Sequence, residues 1–206
     1  MTDPAAWTTT THDWSVTVDR AHLEAIRARP QTYALGGVRH LILEVLAYAD
    51  DEARSIGRRG VAVVTTHPDG SISIADGGRG TDTRRDKAGR IIRKPVMSSK
   101  DVRFFDDPGR PLLPDGLPRW GMSVVAAVST VLVHENRRSE GSWAQGYEHG
   151  IPAAGLTELP GAGRTGTTVR FVPDLALPDP ISPTPADLEG FAWLRVECRP
   201  APQSAR

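Results

Sequence analysis

Residues 38–57, VRHLILEVLAYADDEARSIG, constrain the fold more than any other stretch of this chain. Leu41, Val45 and Ala49 recur at helical spacing, with Ile42, Leu46 and Ala53 beside them, and Gly57 ends the run. The spacing predicts a helix with a wide apolar face, which must be covered by another layer. Glu44 sits in the middle of that face, with Tyr48 and Asp51 four and seven residues on. An acid among leucines and valines is costly to bury without a partner. A general base that activates water is one reason to keep it there. A glutamate at the solvent edge of an amphipathic helix is the commoner alternative.

The rest of the chain supplies what such a helix could pack on. DRAHLEAIRARP (19–30) predicts a short helix with Asp19 as N-cap and Pro30 as its stop. GVAVVTTHPDGSISIADGG (60–78) reads as two strands around a Pro-Asp-Gly turn. Residues 79–119 show no strong period and are rich in Gly, Pro and charge, as in a long loop or lid. GMSVVAAVSTVLVHEN (121–136) predicts a helix with Ser123 as N-cap, turning to strand near Val131–His134. WSVTV (14–18), GSWAQGYEHG and GTTVRFVPD read as further strands. The expected fold is α+β: a two-layer sandwich with a mixed, mainly antiparallel sheet and helices on one face. Residues 1–18 read as an arm, 19–174 as the domain, and 175–206 as a Pro-rich tail with one apolar island, FAWLRVEC.

Charge narrows the function classes. Lys+Arg and Asp+Glu are both 25, so nothing in the balance favours DNA or a membrane surface as partner. The basic run RRDKAGRIIRK (84–94) is explained by a solvated loop. Cys198 is the only cysteine, which leaves no disulfide framework and fits a reducing compartment. The N-terminus lacks the basic and apolar regions of a signal peptide, and no run approaches the ~20 apolar residues of a membrane span. A soluble, cytoplasmic protein is expected.

Three segments carry chemistry. In DGSISIADGGRG (69–80) a strand runs into Asp76, followed by Gly77, Gly78 and Gly80. A carboxylate there faces little bulk, and glycine permits close backbone approach, so Asp76 could accept an amine hydrogen from a flat base. An ordinary Asp-Gly turn is the alternative. In GLPRWGMS (116–123) two glycines precede an apolar helix, a setting in which backbone N–H groups can meet phosphates. RTGTTVRF (164–171) is a Gly-Thr turn entering a strand.

The order and spacing of these segments resemble the ATP-binding domain of the GHKL superfamily, the Bergerat fold. They are more closely similar to the gyrase B and topoisomerase IV B branch. HLEAIRARPQTY, RHLILEVLAYADDEA, DGSISIADGGRG, GLPRWGMSVVAAVS, GYEHGIP and RTGTTVRFVPD carry the likeness over about residues 15–174. GYEHGIP and RTGTTVRFVPD are of the topoisomerase type and argue against a protein kinase of the same superfamily. The resemblance implies ATP as ligand and Glu44 as the water-activating base. It implies Asp76 as acceptor of the adenine amine, beside Gly78 and Gly80, with Thr167 completing that contact. It pairs Arg79 with Glu52 at one side of the pocket and makes Gly116 and Gly121 the lid over the phosphates. It also implies a homodimer or a gyrase-type subunit as partner.

Four departures set the chain apart. The family holds Mg2+ through an Asn four residues after the base, where this chain has Tyr48; Asp51 is the nearest substitute, through water. The lid reads Pro118-Arg119-Trp120-Gly121, which loses an N–H and adds bulk, though Arg119 brings a charge. Ala144 stands near where a family Arg supports the pocket. The 206 residues leave no room for the transducer and DNA-cleaving parts, so DNA binding or duplex passage by this chain alone is not expected. ATP binding with slow hydrolysis and an inactive pseudo-ATPase serving as an interaction module both follow from this pattern.

Overall fold

The computed structural model describes residues 7, 9–161, 163–174 and 182–201. Parts of the expected arm (1–6 and 8) and of the expected tail (175–181 and 202–206) lie outside them.

Asp19 caps the first helix, α1 (Arg20–Arg27), by accepting from the His22 N–H. Pro30 opens a single further turn, α2 (Pro30–Tyr33). The long helix α3 runs Gly37–Ile56 and ends at Gly57, which takes the left-handed conformation (φ 68°) that glycine adopts without strain. Strands β1 (Gly60–Thr66) and β2 (Ile72–Asp76) form the expected hairpin.

The stretch after β2 is more ordered than its composition suggested. It holds a two-stranded ribbon, β3 (Thr83–Arg85) with β4 (Ile91–Arg93), and one turn of helix, α4 (Val102–Phe105). Asp86 closes the ribbon by accepting from the Ala88 and Arg90 N–H groups. The next helix, α5 (Met122–Ala127), is capped at Gly121 (φ 99°), not at Ser123. Ser123 lies inside it and meets the His22 ring at 2.9 Å. Strand begins at Ser129, two residues earlier than the periodicity suggested: β5 is Ser129–Arg138, followed by β6 (Gly141–Glu148), β7 (Ile151–Pro152), β8 (Thr157–Glu158) and β9 (Gly166–Pro173).

WSVTV is not a strand. Asp13 accepts from both the backbone N–H and the hydroxyl of Ser15, an Asx-type turn that competes with extended pairing. The segment from Thr184 onward also differs from the tail expected there. It forms a capped turn, α6 (Pro185–Glu189), and strand β10 (Leu194–Pro200), which pairs parallel with β1 along its full length. The apolar island could not stay in solvent: Phe191 and Leu194 are buried in the common core.

The main sheet runs β10-β1-β2-β9-β5-β6-β7, with β8 against β6, and every pairing except β1·β10 is antiparallel. Helix α3 packs on β1, β2 and β10, and α5 on β5 and β6. Inward residues Val64, Ile74, Val169, Leu132 and Phe171 join Leu41, Leu43, Leu46, Val124 and Val125 in one core. The expected α+β sandwich, with a mainly antiparallel sheet and helices, is therefore the fold found. No helix among the described residues is long and apolar enough to cross a membrane.

If β10 is part of this core, Leu194→Ala should cost about 2–5 kcal/mol, the usual range for emptying a buried leucine site. Urea denaturation measures it. Wild-type stability in the variant would mean the strand is dispensable to the domain.

Candidate functional site

A cavity of about 490 Å³ opens between α3, the ends of β2 and β9, and the segment around the ribbon. Val45, Ile74, Val96, Met97 and Val169 give it apolar walls. Asp76, Arg79, Gly80, Glu52 and Thr167 line it; so do Tyr48 and Asp51.

Asp76 ends β2 at the cavity wall. One carboxylate oxygen accepts from the Gly78 N–H at 2.7 Å, and the other accepts from the Thr167 hydroxyl. Burial pushes its pKa up, against the pull of the Thr167 and Gly78 bonds. The close fit has a steric basis. A Cβ at Gly166 (φ 135°) would land on the Asp76 carbonyl, and one at Gly78 would meet the Glu52 side chain at 2.8 Å. Only glycine lets β9 and the turn approach this carboxylate. Gly80 (φ 84°) is likewise held against Asn136 and Arg137. Arg79 donates from Nε to Glu52 Oε1 at 2.7 Å and from Nη2 to Glu52 Oε2 at 3.1 Å. Burial would raise the Glu52 pKa, but its bonds with Arg79 outweigh that and hold it below the usual carboxylate range.

The other end of the cavity is built differently. Glu44 is fully buried and does not line the cavity. Its carboxylate accepts from the Trp120 N–H at 2.5 Å and the Gly121 N–H at 2.9 Å. His40 Nε2 lies 3.6 Å from it, and His40 Nδ1 meets Asp115 at 2.7 Å. Burial raises the Glu44 pKa, partly offset by His40, these backbone donors and Arg119. Gly116 and Gly121 belong to the same folded-down segment and do not line the cavity either. Gly116 (φ 80°) makes the turn, donating its N–H to the Leu113 carbonyl.

Tyr48 donates its hydroxyl to Asp101 at 2.7 Å. Burial and the Asp101 charge raise its pKa well above the usual phenol value, so it stays neutral. Arg103 donates twice to Asp101 and once to Asp51. The Arg119 guanidinium is stacked 4.9 Å from the Tyr48 ring centre and 4.5 Å from that of Phe104. Its Nη2 lies 2.9 Å from Asp51, an ion contact without hydrogen-bond alignment. Asp51 is thus tied to two arginines instead of being free to reach a metal through water.

Several cavity residues carry no signal of their own in the sequence. Leu132, His134, Asn136 and Arg138 alternate along β5, and that period of two was the available clue. His134 and Arg138 line the cavity, and Arg138 donates to the Gly80 carbonyl at 2.9 Å. Ala144, by contrast, sits on β6 opposite Glu135 and away from the cavity. Lys94, Arg103 and Thr11 lie in stretches with no period to read.

The sandwich with its cavity between α3 and the Asp76 turn has the architecture of the GHKL class. No family model matches the chain, but individual relatives narrow the class. The chain is 35% identical over 157 residues to the B subunit of DNA topoisomerase 4 from Staphylococcus epidermidis, covering 74% of this chain and 24% of that protein. It is 37% identical over 159 residues to the B subunit of DNA gyrase from Mycobacterium tuberculosis, covering 75% and 23%. Against the DNA gyrase B subunit of Archaeoglobus fulgidus the identity is 38% over 162 residues, covering 74% and 25%. The topoisomerase IV ATP-binding domain of Francisella tularensis, solved with a small-molecule inhibitor, has the same fold. Its TM-score is 0.64 at 23% identity, over 86% of this chain and 50% of that one. The chain carries a GHKL domain of the gyrase B and topoisomerase IV B family, and it spans about a quarter of the length of the curated relatives it matches.

The raised Glu44 pKa has a sign that can be tested. A carboxyl whose folded pKa exceeds its unfolded value adds stability as pH falls through the folded pKa towards about 4.3, the unfolded glutamate value. Wild-type protein should therefore gain on Glu44→Gln as pH falls into that window, and the difference should level off below it. Urea melts of both proteins across pH 4–8 measure this, and a gap independent of pH would refute it.

Proposed function

We propose that this chain binds ATP, with the adenine in the apolar cavity and its amine hydrogen-bonded to Asp76. One observation carries the reading: a half-buried carboxylate with a threonine hydroxyl on it, at the wall of a 490 Å³ cavity where Val45, Ile74, Val96, Met97 and Val169 supply apolar surface beside it. A flat base with one exocyclic amine suits that combination of shape and acceptor. The relatives support it, since the Francisella tularensis domain is described as ATP-binding. Arg79, paired with Glu52, flanks the base.

The same site does not suit Mg2+, which serves phosphate chemistry by neutralising charge. That ion takes oxygen ligands in near-octahedral array. The position that would supply one is Tyr48, a neutral phenol already donating to Asp101. Among the described residues no group of three or more His, Cys, Asp or Glu side chains could hold a metal.

A second reading, a nucleotide-holding module without turnover, is favoured by Glu44. Both its oxygens are occupied by lid N–H groups, and it is shut away from the cavity. In this reading the physiological partner is a second copy of the chain or a gyrase-type subunit.

Asp76→Asn presents an amide donor to the adenine amine where the carboxylate only accepts. Loss of a charged hydrogen bond, about 1.5–3 kcal/mol, should lower ATP affinity roughly 10–100-fold. Calorimetric titration checks it, and undiminished affinity in the folded variant would place the nucleotide elsewhere. A phosphate-release assay on the ATP-bound protein separates the two readings. The holding module predicts no release above buffer, whereas release that disappears in Glu44→Ala would establish hydrolysis.

A further inference from the structure

Four basic side chains line the cavity: Arg79, Lys94, Arg103 and Arg138. Three are engaged within the protein. Arg79 is paired with Glu52, and Arg103 with Asp101 and Asp51. Arg138 is paired with Glu140 and also donates to the Gly80 carbonyl. The Lys94 side chain, just after β4, has no hydrogen bond and no ion pair with any described residue.

Asp101 and Asp82 attract it from a distance, but no acid on the same wall is paired with it. Asp51 faces Arg103 and Arg119, Glu52 faces Arg79, and Asp76 is taken by Thr167 and Gly78. Asp82 lies 3.7 Å from Arg84. Among the described residues Lys94 is therefore the one lining cation without a direct ion pair or hydrogen bond, and burial pushes its pKa down against the attraction of Asp101 and Asp82. Leaving an ammonium partly desolvated and unpaired is costly unless an anion meets it. Lys94 stands at the Tyr48 end, since Asp101 and Arg103 are charged neighbours of both residues. That is the end where the residues do not fit a metal ion.

We infer that Lys94 is the phosphate-binding residue of this cavity and that the nucleotide binds there as its metal-free anion. The inference rests on the ATP-binding reading above. An ammonium is a compact point charge with three rotatable donors, suited to phosphate oxygens without fixed geometry. It would supply the charge that a metal ion supplies elsewhere. The cavity then selects nucleotides by a base contact at Asp76 and an anion contact at Lys94.

The test is calorimetric titration of the whole chain with adenosine, ADP and ATP, first in EDTA and then in excess Mg2+. The proteins are wild type, Lys94→Gln and Lys94→Arg. ATP should bind wild type at least as tightly in EDTA as in Mg2+. Lys94→Gln should weaken ADP and ATP about tenfold, the loss of one charge-assisted bond, while adenosine affinity stays unchanged and reports intact folding. Lys94→Arg should retain most of the ATP affinity. ATP binding that requires Mg2+, or full ATP affinity in Lys94→Gln, overturns the inference while adenosine binding keeps the base reading standing. A wild-type protein that binds neither adenosine nor ATP overturns both.

Discussion

Two backbone N–H groups on one buried carboxylate hold this structure's functional end together. Glu44 could not occupy the apolar face of α3 as a bare acid. It does so because Trp120 and Gly121 donate to it. The consequence spreads along the chain. Gly121 takes its positive φ there, α5 starts at the next residue, and α5 leads directly into β5, the long strand of the sheet. The same face of α3 repeats the device at each turn. His40 meets Asp115, Tyr48 meets Asp101, and Asp51 meets Arg103 and Arg119. Positions 40, 44, 48 and 51 form one stripe, and each member ties down part of the segment between residues 101 and 121.

The two ends of the cavity consequently obey different physics. At the Asp76 end the geometry is steric: Gly166 and Gly78 let backbone and carboxylate come close, and aliphatic side chains from α3, β2 and β9 shape a slot. At the Tyr48 end it is electrostatic, a mesh of aspartates and arginines with aromatic faces beneath them. In the proposed reading the first end discriminates bases by shape and by one acceptor. The second balances charge, and Lys94 is its lining cation without a direct ion pair.

What the sequence made legible follows the same division. Helix α3, the β1–β2 hairpin and the Asp76 turn were readable because period, turn residues and glycines are local signals. Asp76, Glu52, Arg79 and Thr167 come together through such elements. The lid end was not readable, because its partners are far apart in sequence. Nothing local in Asp101 or Arg103 announces a contact with Tyr48 or Asp51. Strand β10 was missed for a related reason: its parallel partner β1 lies far back in the chain, with most of the sheet between them in sequence, so no hairpin signal points to it. Ser123 was a reasonable N-cap on local preference. A tertiary acceptor, Glu44, moved the cap to Gly121 by binding the N–H groups ahead of it.

The stripe on α3 also frames what separates an ATPase from a domain that only holds a nucleotide. The N–H groups of Trp120 and Gly121 are the lid donors nearest the helix start, where a phosphate would seek them. In this structure an anion already has them, and it is the side chain expected to activate water. The two anions compete for one pair of donors. If phosphate takes them, Glu44 is released towards the cavity and can act as a base. If Glu44 keeps them, the lid stays seated and the bound nucleotide meets only Asp76 and the basic wall. Giving up two charge-assisted bonds costs on the order of 1.5–3 kcal/mol each. Burial, which raises the Glu44 pKa while the carboxyl is seated, favours the protonated form and so works against the base that hydrolysis needs; only a Glu44 freed into the cavity escapes that burial.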